Sequence, residues 1–560
     1  MAKINENSNK KNNLKKIASR EARFTTEKKF NNILELMFKT SIFVLFGILV
    51  SKLFSYLYKI IIARYLGANL YGLYSLSIAI IVFFAAISGL GLSEGALRYI
   101  SLYRGKNEPS KTRYVFSVCY KLLLISTIIV ALITFFLADF ISLTIFKNEN
   151  LIIFIKIFSI LIPIWVFSIF FMNIMIAHEK VKQQTALEKI LQSSTKLFFL
   201  IFFIFLGLKT NAVIFSFFLG VFVFFLSTFL YCRYKLSDVF LKSEIRKQEK
   251  KEILKGIFSY SIPLMFFWLI SSIFYYLDSI MIGFFKTAFE VGLYNTAVPI
   301  AVLLAITPEL FIQLFFPIIT KEYARKNISL IKKLSVQIGK WIFIINLPVF
   351  FLMIFFPGAI INLLFGADYL EATNALRFLL IGNLFSSLFI ISDKLLSMAG
   401  KTKTLLMDLS ISVIANFILN IILVPRPYIF GIDNLNGISG AAIATTISLI
   451  LFNLLLLFHA KYHTSIVPLG KEFFRIFFIS LIPISILFIL KSFIEITLIS
   501  MILITITFFT SYVLLLFLMK GLDRSDLIII KTFKDKFLTR VKNNANEHIK
   551  NTKKINDIFK

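Results

Sequence analysis

Residues 51–80 read SKLFSYLYKIIIARYLGANLYGLYSLSIAI, and residues 271–300 read SSIFYYLDSIMIGFFKTAFEVGLYNTAVPI. At a constant offset of 220 residues and without a gap, 11 of these 30 positions are identical. Apolar bias inflates such a match, but the Gly-Leu-Tyr triplets at 72–74 and 292–294 are harder to attribute to chance. We therefore interpret the two stretches as corresponding parts of an internal repeat. The identical positions are Ser51, Phe54, Tyr56, Leu57, Ile60, Ile62, Ala68, Gly72, Leu73, Tyr74 and Ile80, each with its partner 220 residues later.

Long apolar blocks surround both stretches and determine the class of protein. The chain has 560 residues, of which 58% are hydrophobic and 66 are Phe, and its mean hydropathy is +0.83. A soluble domain is usually 45–50% apolar. Runs of about 20 apolar residues match the thickness of a bilayer, and lipid leaves the backbone no partner outside a helix. The composition predicts an all-α polytopic membrane protein.

The apolar blocks predict 14 transmembrane helices. They are expected at 40–63, 70–92, 114–137, 151–177, 186–206, 211–232, 256–284, 291–319, 337–363, 372–397, 404–424, 437–460, 472–490 and 493–519.

The basic residues test this topology, because cytoplasmic loops carry an excess of Lys and Arg. The formal charge is +31, which by itself would suggest nucleic-acid binding, but the basic residues lie between the apolar blocks and in two tails. With the N-terminus inside, 49 of the 61 Lys and Arg residues fall on the inside and seven on the outside. The pattern predicts a multi-pass protein of the cell membrane with both termini in the cytoplasm. It also predicts that nucleic acid is not a partner.

The repeat and the topology together predict the domain organisation. The two repeated helices cross in the same direction, so the repeat is parallel and relates two six-helix lobes, an arrangement typical of transporters with a central cavity. The expected segments are a basic cytoplasmic N-terminal segment (1–36), an N-lobe (37–234), a basic linker (235–255), a C-lobe (256–461), two further helices (471–519) and a basic cytoplasmic tail (520–560). The first apolar block starts near Thr40, too late for a cleavable signal peptide.

Ionisable residues inside predicted spans are the candidate site residues, since they are costly in lipid and mark substrate or ion pathways. The cations are Lys52, Lys59, Lys121, Lys156 and Lys196, and the acids are Asp278 and Glu309. The excess of lysines over acids cannot be neutralised by pairing alone, so these lysines require water or an anion. Snorkelling of the long stems to the interface is the alternative for each lysine. Asp278 and Glu309 are expected either to pair with a lysine or to bind a coupling ion.

Motifs for enzymes and cofactors are missing from the sequence. No two aspartates lie two positions apart, and Gly400-Lys401-Thr402 lacks the earlier glycine of a phosphate-binding loop. The pair His459 and His463 is a weak metal candidate, and Cys119 and Cys232 predict neither a disulfide nor a zinc site. We expect no catalytic residue, no metal and no cofactor.

In the eighth span, Pro299, Pro308 and Pro317 predict a bent helix.

Four segments resemble polysaccharide and O-antigen type flippases of the multidrug/oligosaccharidyl-lipid/polysaccharide exporter superfamily. They are GILVSKLFSYLYKIIIARYLGANLYGLYSL at 47–76, GLGLSEGALRYIS at 89–101, FSYSIPLMFFWLISSIFYYLDSIMIGFF at 258–285 and GISGAAIATTISL at 437–449. The resemblance implies two lobes in a V around a central cavity. It places Arg64, Arg98 and Asp278 in family segments, whereas Lys52 and Lys59 lie where relatives vary.

The resemblance further implies transport of an isoprenoid-linked oligosaccharide from the cytoplasmic to the outer leaflet. The expected substrate-binding residues are Lys52, Lys59, Arg64, Arg98, Lys121 and Lys196, because a prenyl phosphate or pyrophosphate is anionic. Expected partners are this lipid-linked oligosaccharide and membrane lipids, with glycosyltransferases or a polymerase left open. A multidrug exporter of the same fold, a non-transporting envelope-assembly scaffold and a membrane glycosyltransferase are the alternatives. The lysines argue against an exporter of cations, and the short loops and missing acidic motif argue against the enzyme.

Overall fold

A computed structural model gives the fold, and it describes residues 2–426, 428, 437–468, 470–493 and 498–519. The described residues are almost entirely helical and include no strand, as the composition predicted. The predicted cytoplasmic tail 520–560 and most of the loop 426–436 lie outside the described residues.

Seventeen α-helices are described, and the predicted spans all overlap them. They are α1 (Ala2–Gly89), α2 (Leu92–Gly105), α3 (Pro109–Phe140), α4 (Asn150–Ala177), α5 (Val181–Thr185), α6 (Gln192–Phe205), α7 (Lys209–Lys235), α8 (Lys247–Phe285), α9 (Ala288–Val302), α10 (Ile306–Ala324), α11 (Ile328–Phe355), α12 (Pro357–Leu364), α13 (Thr373–Met398), α14 (Thr402–Leu423), α15 (Gly437–Thr464), α16 (Lys471–Phe493) and α17 (Leu498–Leu518). Short π-helical turns follow α3 and α5, at Ile141–Ile145 and Ala186–Leu191, and 3₁₀ turns lie at Ser237–Phe240, Leu303–Ala305 and Ala367–Ala372.

Ten helical stretches within the described residues are long and apolar enough to cross a membrane. One of them, Phe43–Gly89, has 47 residues, about twice what a single crossing needs. The structure therefore supports a multi-pass helical membrane protein, while the count of 14 spans stays a prediction.

Helix α1 is interrupted at Gly67, and the chain turns back there. Gly67 has φ 84° and ψ 167°, a backbone region that is essentially restricted to glycine. The rings of Tyr58 and Tyr74 lie 5.9 Å apart between centroids. Sixteen residues of straight helix would separate them by roughly 24 Å, so the two parts of α1 form an antiparallel pair.

The proline-rich eighth span, predicted to be bent, is interrupted by a turn. Helix α9 ends at Val302, the 3₁₀ turn Leu303–Ala305 follows, and α10 begins at Ile306. Pro299 and Pro308 flank this turn, and each removes a backbone donor from the helical hydrogen-bond ladder. Pro317 lies inside α10 without interrupting it.

Helix α4 forms the packed centre of the first half. Apart from Lys156 it is apolar along its length, and such a helix is expected to pack against other elements on most sides. Phe154, Phe158 and Phe170 have no exposed surface. Phe116 of α3 packs on Phe170 with ring centroids 5.5 Å apart, and Phe217 of α7 packs on Phe158 at 5.0 Å. Such van der Waals contacts hold helices together in lipid, where apolar burial offers no gain over the solvent.

The two repeated stretches contact each other through their small residues. A Cβ added at Gly72 would lie 1.6 Å from the carbonyl oxygen of Ala288, and one added at Gly292 would lie 1.9 Å from that of Ala68. Ala68 and Ala288 are repeat partners, as are the two glycines, so the contact is self-complementary, like an interface about a two-fold axis. Small residues four apart allow such close approach of membrane helices.

Candidate functional site

A central cavity of about 1070 Å³ lies between the two repeated stretches. Residues of both stretches line it at equivalent positions, 220 residues apart. These pairs are Lys59 and Ser279, Tyr74 and Tyr294, Ser75 and Asn295, and Ile78 and Val298. Helices α4, α6, α7, α13, α14 and α15, with further residues of α8 and α9, complete the wall. The cavity is therefore built around the internal repeat.

Lys196 of α6 presents its ammonium group to aromatic rings of this cavity. Its Nζ lies 4.4 Å from the ring centroid of Phe217 and 5.8 Å from that of Trp165. A Cβ at position 220 would lie 2.2 Å from Cγ of Lys196, so Gly220 gives the lysine stem its space against α7. A cation over aromatic faces is stabilised by the ring quadrupoles and still has donors to offer an anion.

Lys59 of α1 is the second cation on the first-half wall. Neither Lys59 nor Lys196 forms an ion pair with a carboxylate of the described residues. Both side chains are partly buried. The first-half wall of the cavity therefore carries two ammonium groups whose charge an anionic ligand can neutralise.

Asp278 of α8 carries a buried carboxylate on the opposite wall, with 6% of its surface exposed. Asn420 Nδ2 donates to its Oδ1 at 3.0 Å, and the hydroxyl groups of Tyr294 and Thr445 both donate to its Oδ2. Asn416 Nδ2 donates to Thr445 Oγ1 at 2.9 Å. The sequence singled out Asp278 but missed these neutral partners, which come from three other helices.

This carboxylate cluster is suited to a small cation or a proton. Asp278 has no cationic partner among the described residues, and Oδ1 of Asn420 is buried without a hydrogen-bond partner. A buried charge without a counter-ion is costly. The nearby oxygens of Asn416 and Thr445 are hard donors of the kind that alkali cations bind. Among the described residues no group of three His, Cys, Asp or Glu lies together.

The remaining predicted site residues lie outside this cavity lining. Lys52 Nζ of α1 lies 3.9 Å from Glu309 Oε2 of α10, with side chains 33% and 43% exposed. The guanidinium of Arg98 stacks 4.2 Å from the ring centroid of Tyr260, whose side chain lines the cavity. Arg64 is exposed, three residues before the turn at Gly67. Lys121 lines a second, separate cavity.

Two further features of the lining were not predicted. Asp393 and Lys394 of α13 both line the cavity, and their side chains form an ion pair of 2.6 Å. Lys403 of α14 also lines it. In the charge count, Lys394 and Lys403 were counted among the cytoplasmic residues at helix ends. For this reason they were not among the predicted site residues. Their proximity to the predicted inner ends of α13 and α14 marks that end of the cavity.

Lys156 and the histidine pair have other partners. Lys156 Nζ lies 2.8 Å from Asp139 Oδ1, and both side chains are partly exposed. His459 Nδ1 lies 2.9 Å from the buried Oδ1 of Asp408. Neither pair is part of the cavity lining.

A multi-pass helical fold with a large, charged cavity between repeated halves is typical of membrane transporters. The chain belongs to the polysaccharide biosynthesis protein family, whose model matches residues 37–323, more than half of the chain. This match agrees with the family resemblance of the segments at 47–76, 89–101 and 258–285, all of which lie within it.

Curated relatives include transport proteins of bacteria and archaea. The chain is 23% identical to a putative O-antigen transporter of Shigella flexneri, over 65% of this chain and 85% of the relative. It is 25% identical to a probable low-salt glycan biosynthesis flippase, Agl15, of Haloferax volcanii, over 48% of this chain and 52% of the relative. An uncharacterized membrane protein of Methanocaldococcus jannaschii is 31% identical, over 35% of this chain and 37% of the relative. The chain thus spans about half or less of the length of the two archaeal relatives.

Solved structures share the fold at low identity. The lipid II flippase MurJ in an inward closed conformation superposes with a TM-score of 0.67 and 17% identity, covering 85% of this chain and 98% of that one. An inward-facing multidrug resistance MATE family transporter superposes with a TM-score of 0.63 and 17% identity, covering 74% and 95%. These matches show the shared fold.

Proposed function

We propose that this protein is a flippase that moves an anionic isoprenoid-linked oligosaccharide from the cytoplasmic to the outer leaflet of the cell membrane. The product serves the synthesis of a surface polysaccharide or glycoconjugate. The family match and the two relatives named as an O-antigen transporter and a glycan flippase support this substrate class.

The observation that carries the proposal is the pair of cavity lysines without carboxylate partners. Lys59 and Lys196 lie on one wall of a cavity of about 1070 Å³, just above the range that encloses drug-sized ligands, roughly 300–1,000 Å³. A headgroup of phosphate and a few sugars fits such a volume, while the isoprenoid chain stays in the bilayer. Ammonium groups bind phosphate oxygens through charge-assisted hydrogen bonds.

The proposed cycle is alternating access by two six-helix lobes, N-lobe and C-lobe, within a topology of 14 spans and cytoplasmic termini. The self-complementary contact of Gly72 and Gly292 supports a rocking motion about the repeat axis, because it lies where the two halves meet. Arg98, near the cavity residue Tyr260, acts in the approach of the anionic headgroup, whereas Lys52, Arg64 and Lys121 lie outside the central lining. Glycosyltransferases and a polymerase are proposed partners in the same synthesis.

Two energy sources fit the geometry. Movement of negative charge outward is favoured by an inside-negative potential, by about 2.3 kcal/mol per charge per 100 mV. Asp278 is the proposed coupling site, where a proton or a monovalent cation neutralises the buried carboxylate. Glu309 is the proposed ion-pair partner of Lys52 and does not bind a coupling ion.

A multidrug exporter is the second candidate, and the shared fold with the MATE family transporter favours it. Organic cations would require an acidic cavity. The lining here carries Lys59, Lys196, Lys394 and Lys403 against Asp278 and Asp393, so the excess charge is positive. The cavity chemistry therefore favours the anionic lipid-linked substrate.

The test is the double variant Lys59→Met/Lys196→Met in proteoliposomes. The probe is a prenyl-pyrophosphate oligosaccharide with a fluorescent sugar, and dithionite quenching reports the fraction in the outer leaflet. Losing two charged contacts, each worth roughly 1.5–3 kcal/mol, should slow flipping at least about tenfold. The protein should remain inserted and folded, because removing a charge from a span eases insertion.

The matched control is Lys156→Met/Asp139→Asn, which removes an intramembrane lysine together with the carboxylate that it contacts outside the cavity. We expect it to flip at the parental rate. If the cavity double variant also flips at that rate, the proposed anion site is wrong. Export of a cationic dye by the parental protein would then favour the second candidate.

A further inference from the structure

A second cavity, of about 600 Å³, lies at the ends of α3 and α7 that the charge count assigns to the cytoplasm. Four cationic side chains and several aromatic rings line it, and its described lining contains no acidic residue. The cations are Lys121 of α3, Arg233 of α7, Lys242 of the segment between α7 and α8, and Lys250 of α8. None of this lining belongs to the central cavity.

The outer wall of this cavity is held in place by the turn Ser237–Phe240. The ring of Phe240 packs on Phe116 of α3, with centroids 4.7 Å apart, and on Phe229 of α7, at 6.4 Å. Arg113 Nε donates to the backbone oxygen of Asp238 at 3.1 Å. The segment that follows α7 is therefore fixed across both helices, and the cavity is built into the fold.

The four cations have no carboxylate partner within the described part of the chain. The nearby acids Glu108 and Glu249 are both engaged by Lys111, at 3.2 Å each. Arg233 instead stacks 5.5 Å from the ring centroid of Phe240, and Lys250 lies 5.9 Å from that of Tyr114. Four clustered cations repel one another, so the cavity is suited to an anion.

Two apolar stripes extend from the cavity into the membrane. On α3, Ile125, Ile128 and Leu132 are 59%, 44% and 52% exposed and follow Lys121 at helical spacing. On α7, Leu230, Leu226 and Phe222 are 39%, 40% and 38% exposed and precede Arg233 in the same way. Each stripe, measured from its cation, is 11 residues or roughly 16 Å long, about half of the roughly 30 Å hydrocarbon core.

We infer that this second cavity binds an anionic phospholipid of the cytoplasmic leaflet. The phosphate lies among Lys121, Arg233, Lys242 and Lys250, and the acyl chains run along the exposed stripes of α3 and α7. Apolar stripes as long as one leaflet can contact the acyl chains of a lipid, whereas a soluble phosphate would not contact them. Basic pockets between transmembrane helices on the cytoplasmic side bind headgroups of this kind. Because Lys250 belongs to α8, the lipid joins the first half of the protein to the helix that carries Asp278.

The experiment measures retention of phosphatidylglycerol by the full-length protein, using native mass spectrometry after titration in mixed micelles. The variant is Lys121→Gln/Lys250→Gln, which removes two contacts with the phosphate. We expect the apparent dissociation constant to rise about 30-fold, since each lysine near an anionic headgroup contributes about a fivefold effect. Phosphatidylcholine, which carries no net charge, should bind weakly to both proteins.

The matched control is Lys332→Gln/Lys333→Gln, which removes the same charge from exposed positions of α11 on the same predicted side. Its affinity for phosphatidylglycerol should stay within about twofold of the parental value. Equal retention by the parental protein and the Lys121→Gln/Lys250→Gln variant would overturn the inference. A parallel arm adds inorganic phosphate: if it displaces phosphatidylglycerol at millimolar concentration, the cavity takes a soluble phosphate and the lipid assignment is wrong.

Discussion

The repeated stretches 51–80 and 271–300 have the same packing but different chemistry. In both, residues 16 apart meet across a turn: Tyr58 lies against Tyr74, and at the equivalent positions Asp278 accepts a hydrogen bond from Tyr294. Both also contribute one glycine to the contact between them. The backbone arrangement is therefore shared, and the differences that bear on the site lie in side chains of and beside the cavity wall.

Those differences separate the charges of the site. Tyr58 is buried and its hydroxyl lies 3.1 Å from Ser216 Oγ, whereas its counterpart Asp278 carries a carboxylate. Lys59 faces the cavity where its counterpart is Ser279. The same offset takes Lys196 to Asn416, a neighbour of the Asp278 cluster. The first half thus provides the cations that suit an anionic substrate, and the second half provides the carboxylate that suits a coupling ion.

The shared contact should be the most sensitive feature. We predict that Gly72→Ala and Gly292→Ala each destabilise the protein by about 3 kcal/mol, at the upper end of typical overpacking costs. The added Cβ would lie 1.6 Å or 1.9 Å from a backbone carbonyl oxygen that cannot move without its helix. Thermal unfolding of the purified protein, followed by size-exclusion chromatography, measures the effect.

Gly105→Ala is the control for this pair, because nothing lies within 4 Å of a Cβ at that position. It should unfold at the parental temperature. If Gly72→Ala and Gly292→Ala both unfold at the parental temperature as well, the close contact between the repeats is wrong. If one tolerates it and the other does not, the packing is less symmetric than the two distances indicate.

The difference at positions 58 and 278 should appear in transport. We predict that Asp278→Asn slows flipping at least about tenfold while the protein stays folded, because an amide cannot exchange a proton or balance a cation. Tyr58→Phe should instead cost about 1 kcal/mol of stability, the usual contribution of one hydrogen bond, and leave the rate unchanged. Flipping assays and thermal unfolding on both variants separate these outcomes, and normal flipping by Asp278→Asn would make the carboxylate purely structural.

The sequence predicted the helical class, the repeat and the candidate charges, because these depend on composition and spacing. It could not predict which charges meet. Lys52 and Lys59 are seven apart and share a face of α1, yet they are separated by roughly 10 Å along the helix, and one contacts Glu309 while the other lines the cavity. Lys121 has the same predicted character but lies on a part of α3 that faces away from the central cavity. Which lysine faces the cavity depends on how the helices pack, and the spacing of residues along one sequence does not show that packing.

The ion pair of Lys52 and Glu309 has no counterpart in the repeat, since the equivalent positions are Ser272 and Gly89. It joins α1 to α10 on one side of the molecule alone. The N–O distance is 3.9 Å and both side chains are about a third or more exposed, so its contribution is screened and should stay below about 1 kcal/mol.

We therefore predict that Lys52→Met and Glu309→Gln each change the flipping rate by only about twofold, which corresponds to roughly 0.5 kcal/mol. The exchange Lys52→Glu/Glu309→Lys should restore the parental rate. The attraction requires opposite charges on α1 and α10, whichever of the two helices carries the positive one. A double-mutant cycle on the rates gives the coupling energy directly. A tenfold loss from Lys52→Met that the exchange does not restore would instead mean that Lys52 binds the substrate itself, and the cations of the first stretch would then act on the headgroup at two levels of α1.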